Sequence, residues 1–284
     1  MRRVQIRTIA LPDGERIPVL GIGTWNMGEK RQKRADEIAA LQTAIDLGMT
    51  VVDTAEMYGG GKAEELVAEA LGARRSDIFL VSKVMPQHAT RRGTISSCEA
   101  SLRRLKTDRL DMYLLHWRGS VPLEETLEAF QRLQRDGKIR HWGVSNFDAD
   151  DMEELEGLTI RGGSSASTNQ VLFNLMRRGI EYDLLSWCQT RGIPVMAYSP
   201  LEQGLLAGHK TLAAIAERLT ATPAQVALAW VLQRPGVMAI PKAGDADHVR
   251  ENRGALELEL APEDLAELDE AFPPPTRKRP LEMI

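Results

Sequence analysis

The stretch Thr50-Val51-Val52-Asp53-Thr54-Ala55-Glu56-Met57-Tyr58-Gly59 decides how this 284-residue chain is read. Its apolar run shows no polar alternation, which suits a parallel strand buried on both faces. The run ends on an acid, and a phenol follows in the next loop. Two similar runs lie downstream: Ile78-Phe79-Leu80-Val81-Ser82 leads into Lys83, and Met112-Tyr113-Leu114-Leu115 ends in His116. In a closed barrel, the C-terminal ends of the strands converge on one mouth, where barrel active sites lie. Asp53, Tyr58, Lys83 and His116 would then share a pocket. Each has an ordinary explanation by itself. An Asp at a strand end caps a helix, a Tyr packs half-buried, a Lys emerges into water, and a buried His is satisfied by its neighbours. Four titratable side chains at three successive strand ends make a stronger case together than apart.

Working outward, the same pattern recurs about every thirty residues, the length of a strand-plus-helix unit. Val19-Leu20-Gly21-Ile22 comes before it. Ile139-Arg140-His141-Trp142-Gly143-Val144, Ser167-Thr168-Asn169-Gln170, Ile193-Pro194-Val195-Met196-Ala197 and Val237-Met238-Ala239-Ile240 follow, bringing the total to eight. Between them, apolar residues fall on helix faces: Ile38, Leu41 and Ile45, then Ile95, Cys98, Leu102 and Leu105. Thr222-Pro223-Ala224-Gln225 has the cap, first-turn Pro and capping-box Gln of a helix start. Gly48, Gly137 and Gly192 stand where helices should stop. The predicted fold is α/β, a (β/α)8 TIM barrel. An N-terminal β-hairpin over Val4–Ile17, turning at Asp13-Gly14, precedes it. No linker divides the chain, so residues 1–284 are expected to form one domain. The stiff basic tail Pro273-Pro274-Pro275-Thr276-Arg277-Lys278-Arg279-Pro280 reads as an extended arm over the barrel mouth.

Composition narrows the function classes. Lys and Arg total 36 against 40 for Asp and Glu, a formal charge of -4. That balance exerts no general pull on nucleic acid or acidic membranes. The start, Met1-Arg2-Arg3-Val4-Gln5, has no apolar run behind its charges and is not read as a leader. No stretch approaches the roughly 20 apolar residues of a membrane span. Two distant cysteines, Cys98 and Cys188, read as small core residues in a reducing compartment. The expectation is a cytoplasmic monomer acting on a small molecule, with no nucleic-acid or membrane partner.

Some motifs mislead. Gly21-Ile22-Gly23-Thr24 lacks the third glycine of a dinucleotide fingerprint, and Gly59-Gly60-Gly61-Lys62-Ala63 lacks the hydroxyl after the Lys of a phosphate loop. His88, His209 and His248 show no metal-ligand spacing, and no metal is expected.

The quoted residues resemble the aldo-keto reductase family, particularly its small bacterial members, over nearly the whole chain. The resemblance rests on Gly21-Ile22-Gly23-Thr24-Trp25, Val52-Asp53-Thr54-Ala55-Glu56-Met57-Tyr58-Gly59, Val81-Ser82-Lys83 and Leu114-Leu115-His116-Trp117. It continues through Gly143-Val144-Ser145-Asn146-Phe147, Asn169-Gln170, Ala197-Tyr198-Ser199-Pro200-Leu201 and Ile240-Pro241-Lys242 with Glu251-Asn252. The order and spacing make these motifs specific together. The resemblance implies reduction of aldehydes or ketones by a nicotinamide hydride, with Tyr58 as proton donor. Lys83 would lower the phenol's pKa from its model value of about 10, Asp53 would hold Lys83, and His116 would orient the substrate oxygen. Gly23, Thr24, Ser199 and Leu201 are carried over as cofactor-lining positions. Ser145, Asn146 and Gln170 would bind the nicotinamide carboxamide and Tyr198 would stack on its ring. Lys242 would meet the 2′-phosphate of NADPH, and Glu251 with Asn252 the adenine. Trp25 and Trp117 would line the substrate mouth, near Met57 and Met85.

Two departures from the family pattern bear on the cofactor. Ala243 and His248 stand where many NADPH-dependent relatives carry Ser and Arg. An imidazole is a weaker phosphate partner than a bidentate guanidinium. NADPH is still favoured through Lys242, with NADH as the alternative and with a preference expected to weaken as pH rises past His248 titration. The segment from Ser199 to Thr211 is short, which implies a strap that releases cofactor quickly. Two rival functions stand beside the first: a non-catalytic NADP(H)-binding regulatory subunit on the same fold, and a barrel isomerase or aldolase using Lys83 as a Schiff base.

Overall fold

In the computed structural model, residues 6–159 and 165–284 are described. The first residues of the expected hairpin, Val4 and Gln5, and the remainder of the Met1–Gln5 start lie outside the described residues. The hairpin itself is present: β1 (Thr8–Ala10) pairs antiparallel with β2 (Arg16–Pro18). Asp13 Oδ1 accepts from the Glu15 backbone in the turn, and Gly14 adopts φ +93°.

Eight parallel strands follow. They are β3 (Ile22–Gly23), β4 (Val51–Asp53), β5 (Phe79–Val84), β6 (Leu110–Leu115), β7 (Ile139–Ser145), β8 (Asn169–Leu172), β9 (Val195–Tyr198) and β10 (Val237–Ala239). Each pairs with the next in chain order. Bonds from Gly21 N to Ala239 O and from Ala239 N to Val19 O, both 2.9 Å, join the first staves to the last and bring the sheet round into a barrel. The first strand therefore pairs from Val19 onward, as its apolar run predicts, although its regular ladder begins at Ile22. The expected strand at Ile193 begins two residues later. Pro194 has no N–H to give a ladder, and its carbonyl accepts from Thr168 Oγ1 at 2.7 Å.

Helices α1 (Arg34–Asp46), α2 (Lys62–Leu71), α3 (Arg91–Leu105), α4 (Leu123–Arg135) and α5 (Ala149–Thr159) alternate with the early strands. The later ones are α6 (Leu184–Thr190), α7 (Lys210–Arg218), α8 (Pro223–Leu232), α9 (Ala246–Gly254) and α10 (Pro262–Ala271). The faces read from spacing are the buried ones: Leu41 and Ile45 on α1, and Cys98, Leu102 and Leu105 on α3. The Thr222–Gln225 capping box forms in both directions and starts α8, which is buried from Val226 to Leu232. Gly48, Gly137 and Gly192 all take positive φ where helices stop.

Parallel strands bring backbones close, and Gly21 shows it: a Cβ there would lie 2.6 Å from Val51 O. The hairpin end of the barrel is held by charge. Arg140 and His141 both reach Glu15 Oε2 at 2.6 Å, and the His141 ring stacks on Phe79. Among the described residues, Asp13, Glu15 and His141 are the one His-and-carboxylate group close enough to hold a metal, a clustering that spacing did not reveal. There the Glu15 carboxylate is already held by Arg140. Both cysteines are buried and free, and burial pushes each thiol up to about 12. The tail is an irregular arm tied down by Lys278 to Asp150 (2.9 Å) and by Glu282 to Arg177 (2.8 Å). The backbone of its last residue, Ile284, lies beside the Tyr198 phenol, so the arm does reach the mouth. Among the described residues, no helix is long and apolar enough to cross a membrane.

Candidate active site

Asp53 ends β4, Lys83 lies near the end of β5, and His116 follows β6 directly, its backbone N–H bonded to Val84 O at 3.0 Å. These strands are neighbours in register, with Lys83 opposite Leu114, so their ends converge. Tyr58 arrives from the β4 loop on a tight turn in which Gly59, Gly60 and Gly61 all take positive φ. The four side chains meet. Lys83 Nζ is wholly buried and donates to Asp53 Oδ2 (2.8 Å), to the Thr54 carbonyl (2.8 Å) and to Tyr58 Oη (3.1 Å). The rings of Tyr58 and His116 stand edge to face with centroids 5.9 Å apart.

The electrostatics correct one expectation. Lys83 was to make Tyr58 more acidic. Burial first, and then the Asp53 charge, instead hold the phenol well above its ordinary range. Tyr58 therefore rests fully protonated at neutral pH, as a proton donor must. Burial pulls Lys83 below its ordinary value, opposed by Asp53 and then by Glu64. Burial, reinforced by the Lys83 charge, lowers His116 to about 2, so the imidazole is neutral. A neutral imidazole offers a hydrogen bond without a competing cation.

The expected cofactor residues line the same rim. Ser145 ends β7, and Asn146 follows in the left-handed region at φ +58°. Asn146 Nδ2 donates to the His116 carbonyl at 3.1 Å, and its Oδ1 accepts from Tyr198 Oη at 2.9 Å. Gln170 on β8 donates to Asp53 Oδ1 at 2.8 Å, a link between the expected cofactor residues and the Asp53–Lys83–Tyr58 cluster that spacing did not foresee. Tyr198 ends β9 with its ring partly exposed. Ser199 takes φ +47°, its carbonyl held by Asn174, and Leu201 is partly buried. Gly23 lies against the Ile240 carbonyl, and Thr24 bonds to the Asp53 carbonyl. Across the mouth, Trp25 is 43% exposed, and the Trp117 ring lies 4.9 Å from that of His116.

Lys242 and His248 are exposed around the start of α9, Glu251 is partly buried and Asn252 is buried. Asp245 caps α9 and pairs with the His248 ring at 2.6 Å, so His248 is already engaged by a carboxylate. Motif reading missed Glu56, which accepts from Met85 N and pairs with His88, joining the loops after β4 and β5. It also missed Glu202, which ties the strap to Asn174 and Arg177. Both are acids in loops, where spacing carries no period to give them away.

A barrel with Asp, Tyr, Lys and His converging at its C-terminal mouth is the architecture of a family of carbonyl-reducing oxidoreductases. The chain belongs to the aldo/keto reductase family, whose model matches residues 19–272. It is 53% identical over 274 residues to methylglyoxal reductase YeaE of Escherichia coli, covering 94% of this chain and 95% of that one. It is 34% identical over 263 residues to glyoxal reductase of Bacillus subtilis, covering 92% and 91%. Among solved structures it resembles a Klebsiella pneumoniae aldo-keto reductase in complex with NADPH. That match has TM-score 0.94 and 48% identity over 99% of this chain and 100% of the other.

Proposed function

We propose that this chain reduces small aldehydes and ketones to alcohols with NADPH, taking the proton from Tyr58. The observation that carries the reading is the single buried amine of Lys83, bonded at once to Asp53 and to the Tyr58 phenol. NADPH, when bound, supplies the hydride to the carbonyl carbon. The residues fit it. Asn146 and Gln170 match a carboxamide in donor and acceptor, Tyr198 offers a partly exposed ring, and Lys242 before the N-terminus of α9 suits a phosphate.

The chain's own work is at the carbonyl oxygen. Tyr58 and neutral His116 hold it between two donors, an arrangement that stabilises negative charge as it develops. Tyr58 then gives up its proton, and Lys83 stabilises the phenolate left behind. Asp53 and the Thr54 carbonyl fix the amine while this happens. With three partners around Nζ and no exposure, Lys83 is poorly placed to attack a carbonyl, which disfavours the Schiff-base alternative. A complete proton-donating cluster likewise disfavours a purely regulatory role.

The apolar mouth of Trp25, Met57 and Trp117 suits small uncharged carbonyls, and 2-oxoaldehydes head the panel because one relative is named methylglyoxal reductase and another glyoxal reductase. We read the chain as one domain and a cytoplasmic monomer, with neither nucleic acid nor membrane as partner. NADPH oxidation at rising concentrations of methylglyoxal, glyoxal and aromatic aldehydes, run in parallel with NADH, tests the function. Turnover with NADPH exceeding that with NADH is expected, and absence of cofactor oxidation with every carbonyl refutes it. Sedimentation velocity tests the monomer.

A further inference from the structure

A second buried carboxylate stands behind the site. Glu64, in the first turn of α2, is wholly buried and has a side-chain partner on each oxygen. Its Oε1 accepts from Ser82 Oγ at 2.7 Å, and Ser82 is the residue before Lys83 on β5. Its Oε2 accepts from Arg104 Nε at 2.6 Å, and Arg104 reaches across from α3. Arg104 in turn lies against the turn that carries Tyr58: a Cβ on Gly61 would come 2.5 Å from Arg104 Cδ. The pair thus touches both halves of the proton-donating unit, the strand of Lys83 and the loop of Tyr58.

We propose that Glu64 is a positioning residue of the reaction, keeping the Lys83 amine charged and seated beneath the Tyr58 loop. The inference rests on the carbonyl-reduction reading. A buried ion pair is weak as a stabilising device, since an apolar replacement of both partners is often as stable. Its position behind the catalytic amine gives it another use. Lys83 is buried among Asp53, Tyr58 and neutral His116, and burial disfavours its ammonium form. Asp53 offsets this directly, and Glu64, bonded to Ser82 on the other face of β5, adds a second negative charge. Cys98 and Tyr113 also feel the Glu64 charge, with Lys138 and Glu99 facing Cys98 and Glu56 and Arg104 facing Tyr113. Burial pushes Cys98 up to about 12 and Tyr113 well above its ordinary value, so both are neutral across the working range.

The test is the pH dependence of turnover. Glu64→Gln keeps the shape and removes the charge, leaving Arg104 as an added cation. Both effects disfavour the ammonium, so the alkaline limb of kcat moves to lower pH, by about half a unit or more. KM for the aldehyde at neutral pH is unchanged. Ser82→Ala breaks the tie but keeps the charge, and leaves the limb in place. Should Glu64→Gln fail to fold, the double variant Glu64→Gln with Arg104→Met removes the whole pair and shifts the limb the same way, less far. A 13C-lysine NMR titration, with Lys83 assigned by its loss in Lys83→Met, reads the same shift without turnover. If wild type reduces no carbonyl, the functional reading fails while this titration still judges Glu64. An unmoved limb and an unmoved Lys83 titration, with stability alone reduced, overturn the proposal.

Discussion

At the scale of the residue, the decisive chemistry is one proton on one phenol. Tyr58 holds it tightly because burial and Asp53 oppose its loss, so in the proposed reaction the rate would depend on how well Lys83 and His116 stabilise the charge that forms. Replacing the phenol by Phe leaves the packing and removes the proton. Tyr58→Phe is expected to lower kcat by about 100-fold or more, the general range for a positioned acid. Its NADPH affinity, measured by fluorescence quenching, should barely change. Turnover near that of wild type would show that the proton comes from elsewhere. The identity of this residue was legible from the order of motifs. Its protonation was not, because a pKa is set by burial and by charges from three strands that no single segment contains.

At the scale of the element, helix starts and the strap illustrate two kinds of information. The capping box at Thr222 is a local device, readable in four consecutive residues, and both of its bonds form, at 3.0 and 3.2 Å. Thr222→Ala should therefore cost about 1 kcal/mol in urea unfolding, typical of a lost N-cap; an unchanged midpoint would mean α8 is held by packing alone. The strap over Glu202–Gly208 is different. Its shortness is plain in the sequence, yet its anchoring by Glu202 to Asn174 and Arg177 is tertiary. A short segment already anchored has little to rearrange, so stopped-flow NADPH binding should show a single concentration-dependent phase. A slow phase independent of concentration would reveal a closing step.

At the scale of the whole molecule, His116 ties the site to acid stability. Its folded pKa of about 2 lies below the ordinary imidazole value. The unfolded chain therefore takes up a proton below about pH 6.5 that the folded chain refuses, and stability is lost as pH falls through that window. Each unit costs about 1.4 kcal/mol from this group, and nothing from it above pH 7. His116→Gln should consequently lose about 2.5 kcal/mol less than wild type between pH 7 and 4.5, measured by urea unfolding at each pH. Equal losses in the two proteins would place the imidazole charge inside the folded state.

The sequence by itself determined the staves and their order, the hairpin turn, the helix faces and caps, and the names of the four residues at the mouth. These follow from period, turn chemistry and local capping, which act over a few residues each. Tertiary structure alone decided what lies next to what across the ring. Gln170 on Asp53, Asn146 on Tyr198, Glu15 on Arg140 and Glu64 on Ser82 join residues 18 to 125 positions apart. Closing the barrel brings such groups together and takes water away, and that desolvation sets their charges.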